Sequence, residues 1–211
     1  MSEDTRKHMI ETTASLVHRR GFYGTSLNGI LTESGAPRGS LYYHFPGGKE
    51  ELVLEATRQG VASVTRLLKE VLTGSPDPAD GVRAFVEAAA HLLRDSGYVF
   101  GCPVAPIILD SPESSALAEV CQEALEEWQQ VLVEGLGSAG IERGRAETLA
   151  TTIVCGLEGG LILARARRDI APFDAIAEEF ASMVRSARAR SEPAQEGPEA
   201  PHDSDSPRAG R

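Results

Sequence analysis

The chain has 211 residues, of which 41% are hydrophobic and 25% charged, and a formal net charge of −10. That composition is ordinary for a globular protein of one domain or two small ones, and it excludes collagen-like, fibrous and wholly disordered chains. No apolar run approaches the roughly 18 residues of a membrane span, so no membrane partner is expected. The start, Met1 to Lys7, lacks the apolar stretch of a secretory signal. Cys102, Cys121 and Cys155 are odd in number and widely spaced, which suits reduced thiols in the cytoplasm. Charge is uneven along the chain. Residues 1–50 hold six Lys or Arg against five acids, and the acidic excess lies beyond them, so a polyanion must be met by the N-terminal fifth.

Helical periodicity dominates and no alternating strand pattern occurs. A first helix is expected from Glu3 to Arg20, with Met9, Thr13, Leu16 and Val17 on one face and Gly21 as its stop. A second runs from Ser26 to Ser34, capped by Thr25 or Ser26. Gly35-Ala36-Pro37 breaks it, and Arg38 to Phe45 forms a third with Leu41 and Phe45 inward. After Pro46-Gly47-Gly48, Lys49 to Thr73 is a long amphipathic helix. Asp77 caps the next, with Pro78 in its first turn. Tyr98 to Asp110 reads as an apolar loop with at most one helical turn. Further helices start at Ser111-Pro112-Glu113, at Arg145 and at Pro172, the last ending near Arg190. From Ser191 to Arg211 the chain has four prolines, five acids and no large apolar side chain, the composition of a disordered tail. The fold class is therefore all-α, with a head at 1–48, a helical body at 49–190 and a tail at 191–211.

Two short helices joined by a Gly-containing turn are the layout of a helix-turn-helix. On the second, Arg38 and Ser40 occupy the first turn, Gly39 permits close approach to a groove, and Tyr42, Tyr43 and His44 cluster polar-tipped rings. The plainer alternative is an αα-hairpin with Leu41, Tyr42 and Phe45 in its core and Arg38 a solvated charge. The spacing Thr25-Ser26-Leu27-x-x-Ile30, Gly35-Ala36-Pro37-Arg38-Gly39-Ser40-Leu41-Tyr42-Tyr43-His44-Phe45 and Lys49-Glu50-Glu51-Leu52 resembles the N-terminal domain of the TetR family of transcriptional repressors. Gly101–Val104 and Pro46–Lys49 are similar to its LmrA/YxaF-like branch. The resemblance implies a homodimer that binds a double-stranded DNA operator and is released by a small-molecule effector. Arg38, Gly39, Ser40, Tyr42 and His44 would line the major groove, and Thr25, Ser26, Tyr43 and Lys49 would hold phosphates. Pro37 stands where the family often has Ser or Thr, which leaves Ala36 as the expected cap.

For the body, His91, Tyr98, Phe100, Ile107 and Trp128, with the neighbouring Val99 and Ile108, are candidate lining of a pocket for a neutral, flat or aromatic effector. The branch resemblance suggests aromatic antibiotics or flavonoid-like compounds. Gly156, Leu157, Gly160, Leu161, Ala164 and Phe180 are candidate dimer contacts, with packing inside one chain as the alternative. An effector that tilts the Lys49–Thr73 helix would change the separation of two heads, with a coupling of about 1–3 kcal/mol. No paired metal-ligand spacing, no nucleophile beside a base and no phosphate-binding glycine loop is present, so neither a cofactor nor an enzyme is expected. A small-molecule-binding protein or a transcriptional activator on the same fold are the remaining alternatives.

Overall fold

A computed structural model of the chain describes residues 2–110 and 114–191. Among these residues there are nine helices and no strand, as the periodicity implies. The expected helix start at Ser111–Glu113 and the expected tail beyond Ser191 lie outside the described residues.

The head is made by α1 (Ser2–Gly24), α2 (Leu27–Ser34) and α3 (Arg38–His44). Met9, Ile10 and Leu16 of α1 close over Ile30, Leu41 and Phe45, forming a small core. That core also takes Leu52 and Ala56 from α4 (Gly48–Gly74), so the head is completed by helix beyond residue 48. Gly21 breaks α1 with φ 71° and ψ −179°, a conformation that a side chain resists. Ser26 caps α2, its hydroxyl accepting from the Gly29 N–H at 3.1 Å, and Gly35 ends it at φ 66°. The cap of α3 is Pro37 rather than the expected Ala36, and it makes no side-chain cap hydrogen bond. With φ −62° and ψ 142°, Pro37 supplies the extended entry geometry that its ring already favours.

The body comprises the rest of α4 with α5 (Pro78–Asp95), α6 (Ala105–Asp110), α7 (Ser115–Ser138), α8 (Arg143–Arg167) and α9 (Ala171–Ser191). Asp77 caps α5, accepting from the Ala79 N–H at 2.9 Å. The expected apolar loop contains a formed helix, α6, which packs against α1 and α7. Glu142 caps α8 by accepting from the Gly144 and Arg145 N–H groups, and those bonds hold its carboxyl below the usual range. α9 lies against α5 and α8, and α7 against α4 and α8. By length and composition alone α8 would suffice to cross a bilayer, but in this fold it packs on α7 and α9 with Leu149, Ile153 and Ala164 buried.

The small residues of α8 face two ways. A Cβ on Gly156 would lie 2.4 Å from the Phe180 ring, and one on Gly160 would lie 2.8 Å from Ile176. Gly156 and Gly160 thus sit against Phe180 and Ile176 in a seam between α8 and α9 inside one chain, and Ala164 is buried. Leu157 and Leu161 turn toward a cavity. Gly159 is different, because a Cβ there would meet nothing. It shares an outward stripe with Cys155, Ile162 and Leu163, the last two 66% and 48% exposed.

Candidate functional site

Leu41 and Phe45 anchor α3 in the head's core, and because they lie four residues apart they fix which face points outward. That outward face carries Arg38, Gly39, Tyr42 at 52% exposure and Tyr43 at 78%. Tyr42 is therefore not core, and the plain hairpin alternative fails at this residue. Arg38 donates to Asn28 Oδ1 at 2.8 Å, which braces the guanidinium between α2 and α3 with its remaining donors outward. Gly39 has open space around it, so nothing on α3 blocks close approach at that turn. His44 is half-buried and packs edge-on to Tyr43, with ring centroids 4.9 Å apart; Ser40 is also half-buried.

Thr25 and Lys49, two of the expected phosphate contacts, are engaged within the chain. Thr25 is buried, and its hydroxyl donates to the Gly21 carbonyl at 2.8 Å, closing the chain break after α1. Lys49 holds its ammonium 4.0 Å from the Phe22 ring centroid, a cation–π contact. Burial lowers its pKa, and the nearby Asp110 carboxylate opposes that shift. Asp110, the last residue of α6, also accepts from the Tyr23 N–H at 3.0 Å. Phe22, Tyr23, Lys49 and Asp110 thus form a joint between head and body. Ser26 remains at the surface as the cap of α2.

The body contains two apolar chambers that share Cys102, Glu158 and Leu161. The smaller, about 70 Å³, is walled by Phe85, Trp128, Ile153 and Leu157 among others. The larger, about 350 Å³, reaches from Val104, Pro106 and Ile108 to His18 and Gly21 of α1 and to Arg165 of α8. Its volume lies within the range typical of small-molecule sites. Cys102 and Glu158 are hydrogen-bonded to each other; burial and the neighbouring carboxyl push the thiol far up, which disfavours the thiolate. Burial likewise raises the Glu158 carboxyl. His18 goes the other way, lowered to about 4 by burial and then by the Arg165 guanidinium, and its Nδ1 is buried without a hydrogen-bond partner. Arg165 itself donates to the Val99 carbonyl at 2.8 Å.

Of the expected lining, Trp128 faces the smaller chamber, donating its indole N–H to Thr65 at 3.0 Å, and Ile108 faces the larger. The other expected residues lie outside both chambers. His91 is exposed on α5 away from both chambers, because it lies on the face opposite Ala90 and Leu93. Ile107 is core and reaches neither chamber. Tyr98 lies under the Arg168 guanidinium, and Phe100 packs edge-on against His18 at 5.2 Å, behind the wall rather than in it. His18, Glu158 and Arg165 were not anticipated. A signal for one existed: Glu158 is the sole charged residue between Glu147 and Arg165, in an otherwise apolar helical stretch.

An exposed second helix of a helix-turn-helix, carried on a larger helical body, defines a DNA-binding transcription regulator. The family model for bacterial regulatory proteins of the tetR family matches residues 9–56, and that for the C-terminal domain of LmrA/YxaF-like transcriptional regulators matches residues 78–179. The HTH-type transcriptional regulator LmrA of Bacillus subtilis (strain 168) is 35% identical over 170 residues, covering 80% of this chain and 90% of that protein. The uncharacterized regulator YxaF of the same organism is 33% identical over 183 residues, covering 86% and 96%. A TetR-family regulator from Agrobacterium tumefaciens shares the fold with a TM-score of 0.77 at 22% identity, covering 86% of this chain and 98% of that one. CifR, solved as a cysteine mutant with a 26-bp operator duplex, gives 0.73 at 23% identity, covering 83% and 94%. The chain belongs to the TetR family of transcriptional regulators, with a C-terminal domain of the LmrA/YxaF-like branch. It is a DNA-binding regulator and not an enzyme.

Proposed function

We propose that this regulator is a homodimeric repressor that reads its operator with α3 and is released when a small, mainly apolar effector enters the larger chamber. The observation that carries the DNA reading is the outward face of α3, where Arg38, Tyr42 and Tyr43 are held exposed by the burial of Leu41 and Phe45. Arg38 and Gly39 are assigned to the major groove with Ser40, Tyr42 and His44, and Ser26 and Tyr43 to the flanking phosphates. Thr25 and Lys49 are assigned to the head's framework instead. A dimer would form on the outward stripe of Cys155, Gly159, Ile162 and Leu163, where exposed apolar side chains flank a glycine that permits close approach. Its working place is the cytoplasm, where the operator lies.

Release follows from where the chamber sits. His18 and Gly21 belong to α1, so an effector there touches the head's own first helix and not the long α4 alone. Pro106 and Ile108 on its other side belong to α6, whose Asp110 is bonded to the Tyr23 N–H. A shift of α6 against α1 is thereby passed to the head through that joint. A coupling of about 1–3 kcal/mol would lower operator affinity roughly 5- to 150-fold. The test is a gel-shift titration of an operator duplex, selected by the protein from a random pool, with and without effectors. An effector that binds the protein yet leaves operator affinity unchanged rejects release.

A further inference from the structure

We propose that the larger chamber is a site for an apolar monoamine, its protonated nitrogen held by Glu158 and by Nδ1 of His18 while its hydrocarbon body fills the surrounding lining. The inference rests on the effector reading of the chamber and names the chemical class that the chamber takes.

The polar inventory decides the class. Glu158 lies at the junction of the two chambers, and among the described residues its hydrogen-bonding partner is the Cys102 thiol, not a cation. The nearest candidate cation on the same helix, Arg165, has a guanidinium N–H engaged with the Val99 carbonyl. On α1, His18 Nδ1 is buried with no hydrogen-bond partner. A neutral imidazole with its proton on Nε2 presents Nδ1 as an acceptor. The chamber therefore offers a carboxyl and a ring nitrogen as acceptors and one cation, the Arg165 guanidinium, in a lining that is otherwise apolar, such as Val17, Leu125 and Leu161.

A ligand must bring the donors. A primary ammonium has three and no acceptor, and it supplies the positive charge that a buried carboxylate lacks. A hydroxyl brings one donor and no charge. A carboxylate ligand would set like charge against Glu158. Burial raises the Glu158 carboxyl, and burial and then the Arg165 charge lower His18, so both groups favour their neutral forms until a cation pairs with Glu158.

The test uses three probes with one phenyl body and chain and different heads: phenylbutylamine, phenylbutanol and phenylbutanoate, titrated calorimetrically into the full-length protein at neutral pH. The amine is expected to bind about tenfold or more tightly than the alcohol, and the acid weakest. Glu158→Gln should cut the amine's affinity about tenfold and leave the alcohol's within about twofold. The three-probe ranking on the unaltered protein needs no variant to fold. Equal binding of amine and alcohol, preference for the acid through Arg165, binding of none of the three, or an amine preference that survives Glu158→Gln in a protein of unchanged melting would each overturn the proposal. Operator release is a separate readout: an amine that binds as described without releasing DNA leaves the site standing and removes the effector reading.

Discussion

The outward stripe of α3 and the inward stripe of α8 each place a few polar side chains on an apolar footing, but the residues that complete them come from different distances along the chain. Arg38, Tyr42 and Tyr43 are presented by Leu41 of the same short helix and by Phe45, which caps it, and Arg38 is braced by Asn28, ten residues away. Glu158 and Arg165 acquire meaning only opposite His18, across most of the chain's length. Local spacing therefore specifies a reading surface, whereas a cavity needs the tertiary fold before its walls exist.

The sharpest way to break this contrast is in the head. Phe45→Ala should cost about 3–5 kcal/mol of stability and abolish operator binding, because a large, fully buried ring leaves a cavity. Tyr43→Ala removes a side chain that is 78% exposed, so it should change stability by less than about 0.5 kcal/mol while weakening DNA binding. Chemical denaturation and operator titration of both variants separate core from surface. If Tyr43→Ala destabilises as much as Phe45→Ala, the outward assignment of that ring is wrong.

This is also where the sequence was most legible. Leu41 and Tyr42 sit in a seven-residue helix capped by Phe45 and bounded by Pro37 and the Pro46-Gly47 turn, so their faces follow from helical spacing alone. His91 shows the limit: its neighbours Ala90 and Leu93 are buried, but which flank of α5 meets a chamber depends on α4 and α9. Gly156 and Gly159 make the same point at closer range. Both suit a close helix contact, and only the placement of α9 shows that one is filled by Phe180 and the other is open.

On the body side, acid should expose His18. Its folded pKa is about 4 against 6.5 for the free side chain, so below pH 6.5 the unfolded chain takes up a proton that the folded chain does not. Stability is lost as pH falls from 6.5 toward 4, by about 3 kcal/mol in total for this one group. Melting of wild type and His18→Gln between those limits measures it. The variant should show a shallower decline, and parallel curves would mean that His18 is not held neutral.

A smaller effect separates the two glycines. Gly156→Ala should destabilise by about 1–3 kcal/mol through overlap with Phe180. Gly159→Ala meets nothing and should be neutral or up to about 1 kcal/mol stabilising to the single chain through helix propensity. On the same stripe, Leu163→Glu should shift the sedimentation of the proposed dimer toward monomer without altering the helical content. Sedimentation unaffected by Leu163→Glu places any such contact elsewhere.

Lys49 gives the smallest expected change. Its ammonium lies over Phe22 beside Asp110, so Lys49→Ala should leave the salt dependence of operator binding within experimental error while reducing the effector's power to release DNA. A salt slope lower by about one would return Lys49 to the phosphate backbone.

The central claim is that α3 reads base sequence, and Arg38→Ala tests it most directly. Affinities of wild type and variant are compared on the selected operator and on duplexes carrying each single base-pair change. The account predicts a loss of about 1–3 kcal/mol confined to discrimination at one base pair in each half-site, with unchanged melting of the protein. A variant that binds every duplex as wild type does, or loses affinity equally on all of them, contradicts it.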